Sequence, residues 1–406
     1  MADRRLTRRR VLQRLGLSGA AVTLGPSLLA CDDTSTTNLE PADIGPMLDS
    51  RPPTSVMAAS TSEVDLTLQV LAGALPADLV GHVFVVAPVP NQSGASLLTG
   101  DGMVYRLDLG AKQVSLKSRF MRTPSYLVDQ ATRGTDDAFT TNGLARFSKT
   151  YGVRNYANTA LVPLDTSRLL VTTDIGRPHL IDPVSLAVIT PLGRNDEWRS
   201  TFGQTVLFGE AFPLAQTTAH PVWDARTDEL FSVNYASPFL NGQETWTDLL
   251  RWQGDALERW PILDARTGEP AVVAQSMHQI GVTRRYVILM ETAFVVRLNF
   301  TGQAQPITPQ GSETPVWLIA RADLDGDATS VQAHRIVLPS ESVHFLADYE
   351  DADDLIRMHV CHNRASDPGV WLEPGDVRAD TGAPVDERLH GLLGSGTDLV
   401  ALGRHT

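Results

Sequence analysis

Two cysteines in 406 residues, Cys31 and Cys361, are too few for a disulfide framework or a cysteine-rich metal site. An excess of positive charge is missing as well. The 34 basic and 47 acidic side chains give a formal net charge of -13, a field that repels a phosphate backbone and argues against nucleic acid as a partner. Helical periodicity is scarce: beyond the N-terminal leader, few stretches keep an apolar face through three turns. The apolar part of that leader is too short and too glycine-rich to span a bilayer. What remains is a chain with 42% hydrophobic residues, enough for a sizeable core in one large domain or two ordinary ones.

The first 31 residues, "MADRRLTRRRVLQRLGLSGAAVTLGPSLLAC", have a basic start, an apolar Gly/Ala-rich middle and small residues at the end, the layout of an export signal. Within it "TRRRVLQ" resembles a twin-arginine signal, with Arg8 and Arg9 as the pair, and "LLAC" resembles a bacterial lipobox ending at Cys31. The expectation is export by the twin-arginine route. Lipidation of Cys31 then tethers the chain on the periplasmic or extracellular side of the cytoplasmic membrane, each buried acyl CH2 contributing about 0.8 kcal/mol. Residues 32–60 are polar and turn-rich and read as a flexible tether.

From about residue 61 onward the chain changes character. Short β-branched and aromatic runs such as "HVFVVAPV", "SRLLVTTD", "DELFSVNY" and "RYVILME" are punctuated by Gly, Asp, Asn and Pro. This is a strand-and-turn rhythm, and many short strands over more than 300 residues predict an all-β domain, a propeller or a large sandwich. "MVYRLDLGAKQVSLKSRF" reads as one hairpin turning near Gly110, and "LIDPVSLAVITPLG" as another.

Three of the ten histidines, His220, His278 and His344, each sit beside a β-type run, separated by 58 and then 66 residues. Such gaps would place them on different blades, each able to point toward a common axis. Imidazole suits Fe(II), Zn(II) and other borderline ions. Alone, any one of them reads as a structural or solvent-facing histidine. Together they leave three readings open: an iron oxygenase, a zinc hydrolase with three histidines and a water, and a non-catalytic envelope β-propeller binding lipoprotein.

The surrounding segments resemble the carotenoid cleavage oxygenases, the family that includes retinal-pigment-epithelium isomerase-like proteins and stilbene-cleaving enzymes. The resemblance runs in order through "LLTGDGMVYRLDL", "SRFMRTPSY", "NYANTALVPLDTSRLLVTTDIGRPHLIDPVSL", "TTAHPVWDARTDELFSVNY", "SMHQIGVTRRYVILME" and "VHFLADYEDADDLIRMHVC". It implies a seven-bladed β-propeller over residues 61–406 with Fe(II) on its axis, held by four histidines. His220, His278 and His344 stand at three ligand positions, and His390 in "RLHGLL" is the candidate for the fourth. Only 62 residues follow His344, so the resemblance also implies a propeller lacking its closing C-terminal part, and with it an inactive family member as an alternative. Asp174, where glutamate is usual, and Glu350 match the acids that orient ligand imidazoles, Asp174 reaching its partner directly or through a water. Gln279 and Gly281 depart from the usual residues beside the second ligand, which assigns them to the pocket wall. The implied activity is O2-dependent cleavage of a conjugated double bond in an apolar polyene (a carotenoid or apocarotenoid) or a stilbene-like molecule.

Overall fold

A computed structural model describes residues 61–89, 97–110, 113–142, 145–201, 211–237, 245–292, 313–324, 326–351, 355–362, 375–378, 381–387 and 401–405. They belong to a compact unit, Ala59–Thr406. The fold is all-β, a propeller built of antiparallel meanders. Seven blades, and a missing closing part, stay expectations from the sequence. No helix among the described residues is long and apolar enough to cross a membrane.

The two hairpins read from the sequence are present. Asp101–Leu109 pairs with Val114–Phe120, and the Gly110 N–H closes the turn on the Gln113 carbonyl at 3.0 Å. His179–Ile181 pairs with Val188–Pro191, with the Asp182 carboxylate accepting from the Val184 and Ser185 N–H groups in the turn between them. Each hairpin belongs to a four-stranded sheet. The helix Pro124–Thr132 interrupts this pattern. Thr123 caps it, its Oγ1 accepting from the Tyr126 N–H at 3.2 Å, and Pro124 takes the first turn, where a missing N–H costs nothing.

A nine-stranded sheet sets up the site. One meander holds Val222–Asp224, Glu229–Ala236, Trp246–Trp252 and Leu257–Asp264; the other holds Ser276–Val282, Tyr286–Thr292, Glu313–Ala320 and Val331–Pro339. Their outer strands pair in parallel, Ile262 opposite Val331 and Asp264 opposite Ala333. Central strands such as "YVILMET" are buried on both faces, which is why they read as unbroken apolar runs. Phe231, Tyr235, Trp260, Ile280, Leu289 and Trp317 share one core between the meanders. The inner ends of the same sheet meet at a parallel bridge between His220 and Gln279, so two of the three histidines face each other where the sheet nearly closes.

Candidate metal centre

The main chain brings His220 and His278 together before their side chains do. The His220 N–H donates to the His278 carbonyl at 3.1 Å, and the Ile280 N–H returns to the His220 carbonyl at 3.5 Å. Thr218 adds a third stitch, its hydroxyl donating to the His278 carbonyl at 2.8 Å. On the other side of His278, its own N–H donates to Thr292 Oγ1, and the neighbouring Met277 N–H donates to the buried Tyr235 hydroxyl. Pairing of Ser276–Val282 with its neighbour slips between Ser276 and Gln279, an irregularity that re-aims the side chains there.

The third histidine arrives by a side-chain clamp. Gln279 donates through Nε2 to the Phe345 carbonyl at 2.8 Å and accepts from the Phe345 N–H at 3.1 Å, so one amide holds the strand that carries His344. That strand, Ser342–Ala347, has its own slip in register between Ser342 and His344. Beside the clamp, a Cβ on Gly281 would stand 2.7 Å from the Phe345 ring, so the glycine is what lets this ring lie against the strand. Gln279 and Gly281 thus position the third histidine's strand.

The three imidazoles converge. Their ligand atoms all lie within 4.8 Å of one another, with ring centroids 4.6, 5.2 and 5.1 Å apart and every pair edge to face. His220 Nε2 and His278 Nε2 are 3.1 Å apart. His278 Nδ1–H donates to Asp174 Oδ1 at 2.7 Å, without a water, which leaves the Nε2 lone pair aimed at the other rings. Burial first, then the other two imidazoles, pushes the His220 pKa down to about 4. Burial and His278 also lower that of His344. Both rings are therefore neutral at neutral pH. Three imidazole nitrogens, one ring braced by the Asp174 carboxylate, fit a divalent iron ion, and no anionic side chain among the described residues joins the group.

The other residues singled out from the sequence lie elsewhere. Glu350 is exposed and pairs with the Arg284 guanidinium, and no contact joins it to His344. Its carboxylate lies at the surface, where the guanidinium on the adjacent turn is its partner. His390 and Cys31 lie outside the described residues. Thr218 and Thr292, which fix the histidine backbones, carried no sequence signal beyond threonine's ordinary preference for strands.

Two predictions arise here. Asp174→Ala leaves the three ligands in place but frees the His278 ring; iron affinity falls by about 10–100-fold, the usual effect of an outer hydrogen-bond partner, as read by chelator competition. The second concerns Glu291, whose Oε2 accepts from the Ala274 N–H at 2.9 Å just ahead of the His278 strand. Burial raises its pKa from 4.5 to about 7, against those backbone hydrogen bonds. A raised carboxyl pKa means that the folded chain holds a proton the unfolded chain has released. Stability is therefore full below pH 4.5 and declines as pH rises through 7, by on the order of 3 kcal/mol. Urea unfolding at pH 5 and pH 8 checks this: Glu291→Gln should lose much less stability across the interval than the parent, and equal losses would refute the assignment.

Comparison with known proteins adds a family and a fold. The profile of the family described as retinal pigment epithelial membrane protein matches residues 57–388. No curated protein sequence matches the chain. Among solved structures, a point mutant of the Synechocystis apocarotenoid oxygenase superposes with a TM-score of 0.52 at 19% identity, covering 75% of this chain and 62% of that one. The Pseudomonas brassicacearum lignostilbene dioxygenase superposes with a TM-score of 0.51 at 22% identity, covering 74% of this chain and 58% of that one. The chain thus spans less than two thirds of the length of either structure, and at these identities the likeness establishes the fold.

Proposed function

Since the chain belongs to the retinal pigment epithelial membrane protein family, we propose that it is a non-haem iron oxygenase that splits a conjugated carbon–carbon double bond. The substrate class is a carotenoid, an apocarotenoid or a stilbene-like molecule. The observation that carries the reading is the meeting of His220, His278 and His344 within 4.8 Å, on two sheets joined by Gln279. Atoms balance without a further reductant: the alkene C=C bond breaks, and each oxygen of O2 ends as the carbonyl oxygen of one fragment.

The three histidines hold Fe(II), and His390 is the proposed fourth ligand. Ferrous iron, when bound there, supplies O2 activation and Lewis acidity. The chain does the rest. Neutral imidazoles leave the ion's double positive charge undiminished. Asp174 holds the proton on His278 Nδ1 and so fixes which nitrogen faces the centre. Gln279 keeps the third ligand at the right distance, and the buried sheet behind His278 keeps the constellation from relaxing. The export signal around Arg8 and Arg9, with lipidation at Cys31, completes the proposal: an exported enzyme tethered at a membrane, where apolar polyenes dissolve.

Products test the reading. The iron-loaded protein is incubated under 18O2 with a stilbene and with an apocarotenoid, and the products are analysed at once by mass spectrometry. The proposal expects two carbonyl fragments, each with one labelled oxygen. Intact substrates, or hydrolysis supported by zinc with no oxygen consumed, would overturn it.

A further inference from the structure

A second pair of histidines meets outside the three-histidine centre. Met358–His362 and Ala401–His405 are antiparallel strands in which His362 lies opposite Ala401 and His405 opposite Met358. The two histidines therefore share a face of the sheet but stand four positions apart along it, about 13 Å at 3.3 Å per residue. Their Nε2 atoms are nonetheless 2.9 Å apart, because both rings lean over Gly403. A Cβ at that position would stand 2.7 Å from His362 Nε2 and 2.8 Å from His405 Nε2, so only a residue without a side chain leaves room for the contact.

His362 is also set up as a ligand. Its Nδ1 lies 3.1 Å from the Glu341 carbonyl, which can only accept; Nδ1 thus carries the hydrogen and Nε2 presents a lone pair toward His405. The rings are edge to face, with centroids 5.1 Å apart and planes at 75°. The arrangement repeats that of His220 and His278, whose Nε2 atoms are 3.1 Å apart and whose planes meet at 81°. Two nitrogens at about 2.0–2.1 Å from one ion, subtending a right angle to a tetrahedral angle, stand about 2.9–3.4 Å apart. Both residues are only partly buried, so water can fill the remaining positions.

We propose that His362 and His405 form a second metal site, distinct from the three-histidine centre, for a borderline divalent ion of the zinc, nickel or copper class. Imidazole with water favours those ions, and among the described residues this pair has no thiolate or carboxylate partner. The role is that of a clip. The two strands are separated in the chain by residues 363–400, and an ion held by one histidine from each ties the two ends of that segment together. Binding to the folded state alone raises its stability in proportion to the logarithm of ion concentration.

Zinc is the probe. The full chain and its variants are equilibrated with Zn(II), freed of excess by gel filtration and analysed for metal per chain, with thermal unfolding run in parallel. Expected are two zinc ions per chain in the parent, one in His278→Ala, one in His405→Gln and none in the double variant. Added zinc should raise the unfolding midpoint of His278→Ala and leave that of the double variant unmoved. The His278→Ala count keeps both members of the pair intact, so it stands even if His405→Gln folds poorly, in which case His362→Gln replaces it. A His278→Ala chain without zinc, or one whose zinc survives the added His405→Gln, would show that the rings share only an N–H···N hydrogen bond and would overturn the proposal.

Discussion

His278→Ala should purify without iron under conditions in which the parent chain retains it. His278 holds the centre of the constellation: its backbone carbonyl accepts from both Thr218 and His220, and, among the described residues, its ring alone of the three is anchored by a carboxylate. Removing the ring deletes one ligand and strands Asp174 without its partner. The loss of affinity should exceed the roughly 10–100-fold expected from Asp174→Ala, since that change keeps every ligand. The fold should survive. Truncation leaves a small void at the edge of the core, at a cost well below that of a fully buried large side chain. Circular dichroism and metal analysis on the same sample separate the two effects. Iron content equal to that of the parent would mean that the metal sits elsewhere.

Arg154→Met should be the most destabilising single change in the N-terminal half of the described residues. Arg154 is fully buried and donates through NH2 to Asp101 Oδ1 at 2.6 Å and through Nε to Asp129 Oδ2 at 3.3 Å. Its NH1 group reaches the Asn155 carbonyl and the Thr123 and Ser125 hydroxyls. Asp129, on the helix Pro124–Thr132, also takes a two-pronged pair from the buried Arg146, at 2.7 and 3.0 Å. Burial already pulls the Asp101 pKa up, against the attraction of Arg154. Without Arg154 the Asp101 carboxyl loses its only buried cationic partner at hydrogen-bond distance among the described residues, while Arg146 stays paired with Asp129. Breaking such a pair from one side costs about 3–5 kcal/mol, because the remaining charge stays desolvated. The midpoint of urea unfolding should fall accordingly. Asp101→Asn in the same background should recover part of the loss, since it removes the stranded charge; no recovery would show that packing, not charge, set the cost.

The sequence made the strands legible because central strands are apolar on both faces and end at Gly, Asp or Pro. "RYVILMET" and "DELFSVNY" are examples, and both are buried almost throughout. The helix Pro124–Thr132 escaped that reading. Nine residues are too few for a periodic signature, although Thr123 followed by Pro124 is a start signal that could have marked it. At the site, the types of residue were legible and their meeting was not. Gaps of 58 and 66 residues fit any number of sheet arrangements; only the pairing of backbones at His220 and Gln279 fixes one. Asp174 reaches His278 directly because the bend after the strand Leu169–Thr172 lies close, something the length of an aspartate side chain could not foretell. Glu350 shows the converse. Its place in the motif pointed to a role, but Arg284, 66 residues earlier, captures it. Gln279 was assigned to the pocket wall, and only the contacts across two strands identify it as a clamp.

The claim on which the account rests is that His220, His278 and His344 hold one ferrous ion. The direct measurement is X-ray absorption at the iron edge on the full chain, loaded with Fe(II) without oxygen and freed of unbound metal. The account predicts about one iron per chain, with a nearest shell that shows the scattering pattern of three or more imidazoles and loses it in His278→Ala. A chain that retains no iron, or an iron whose shell holds oxygen donors and no imidazole, would contradict it.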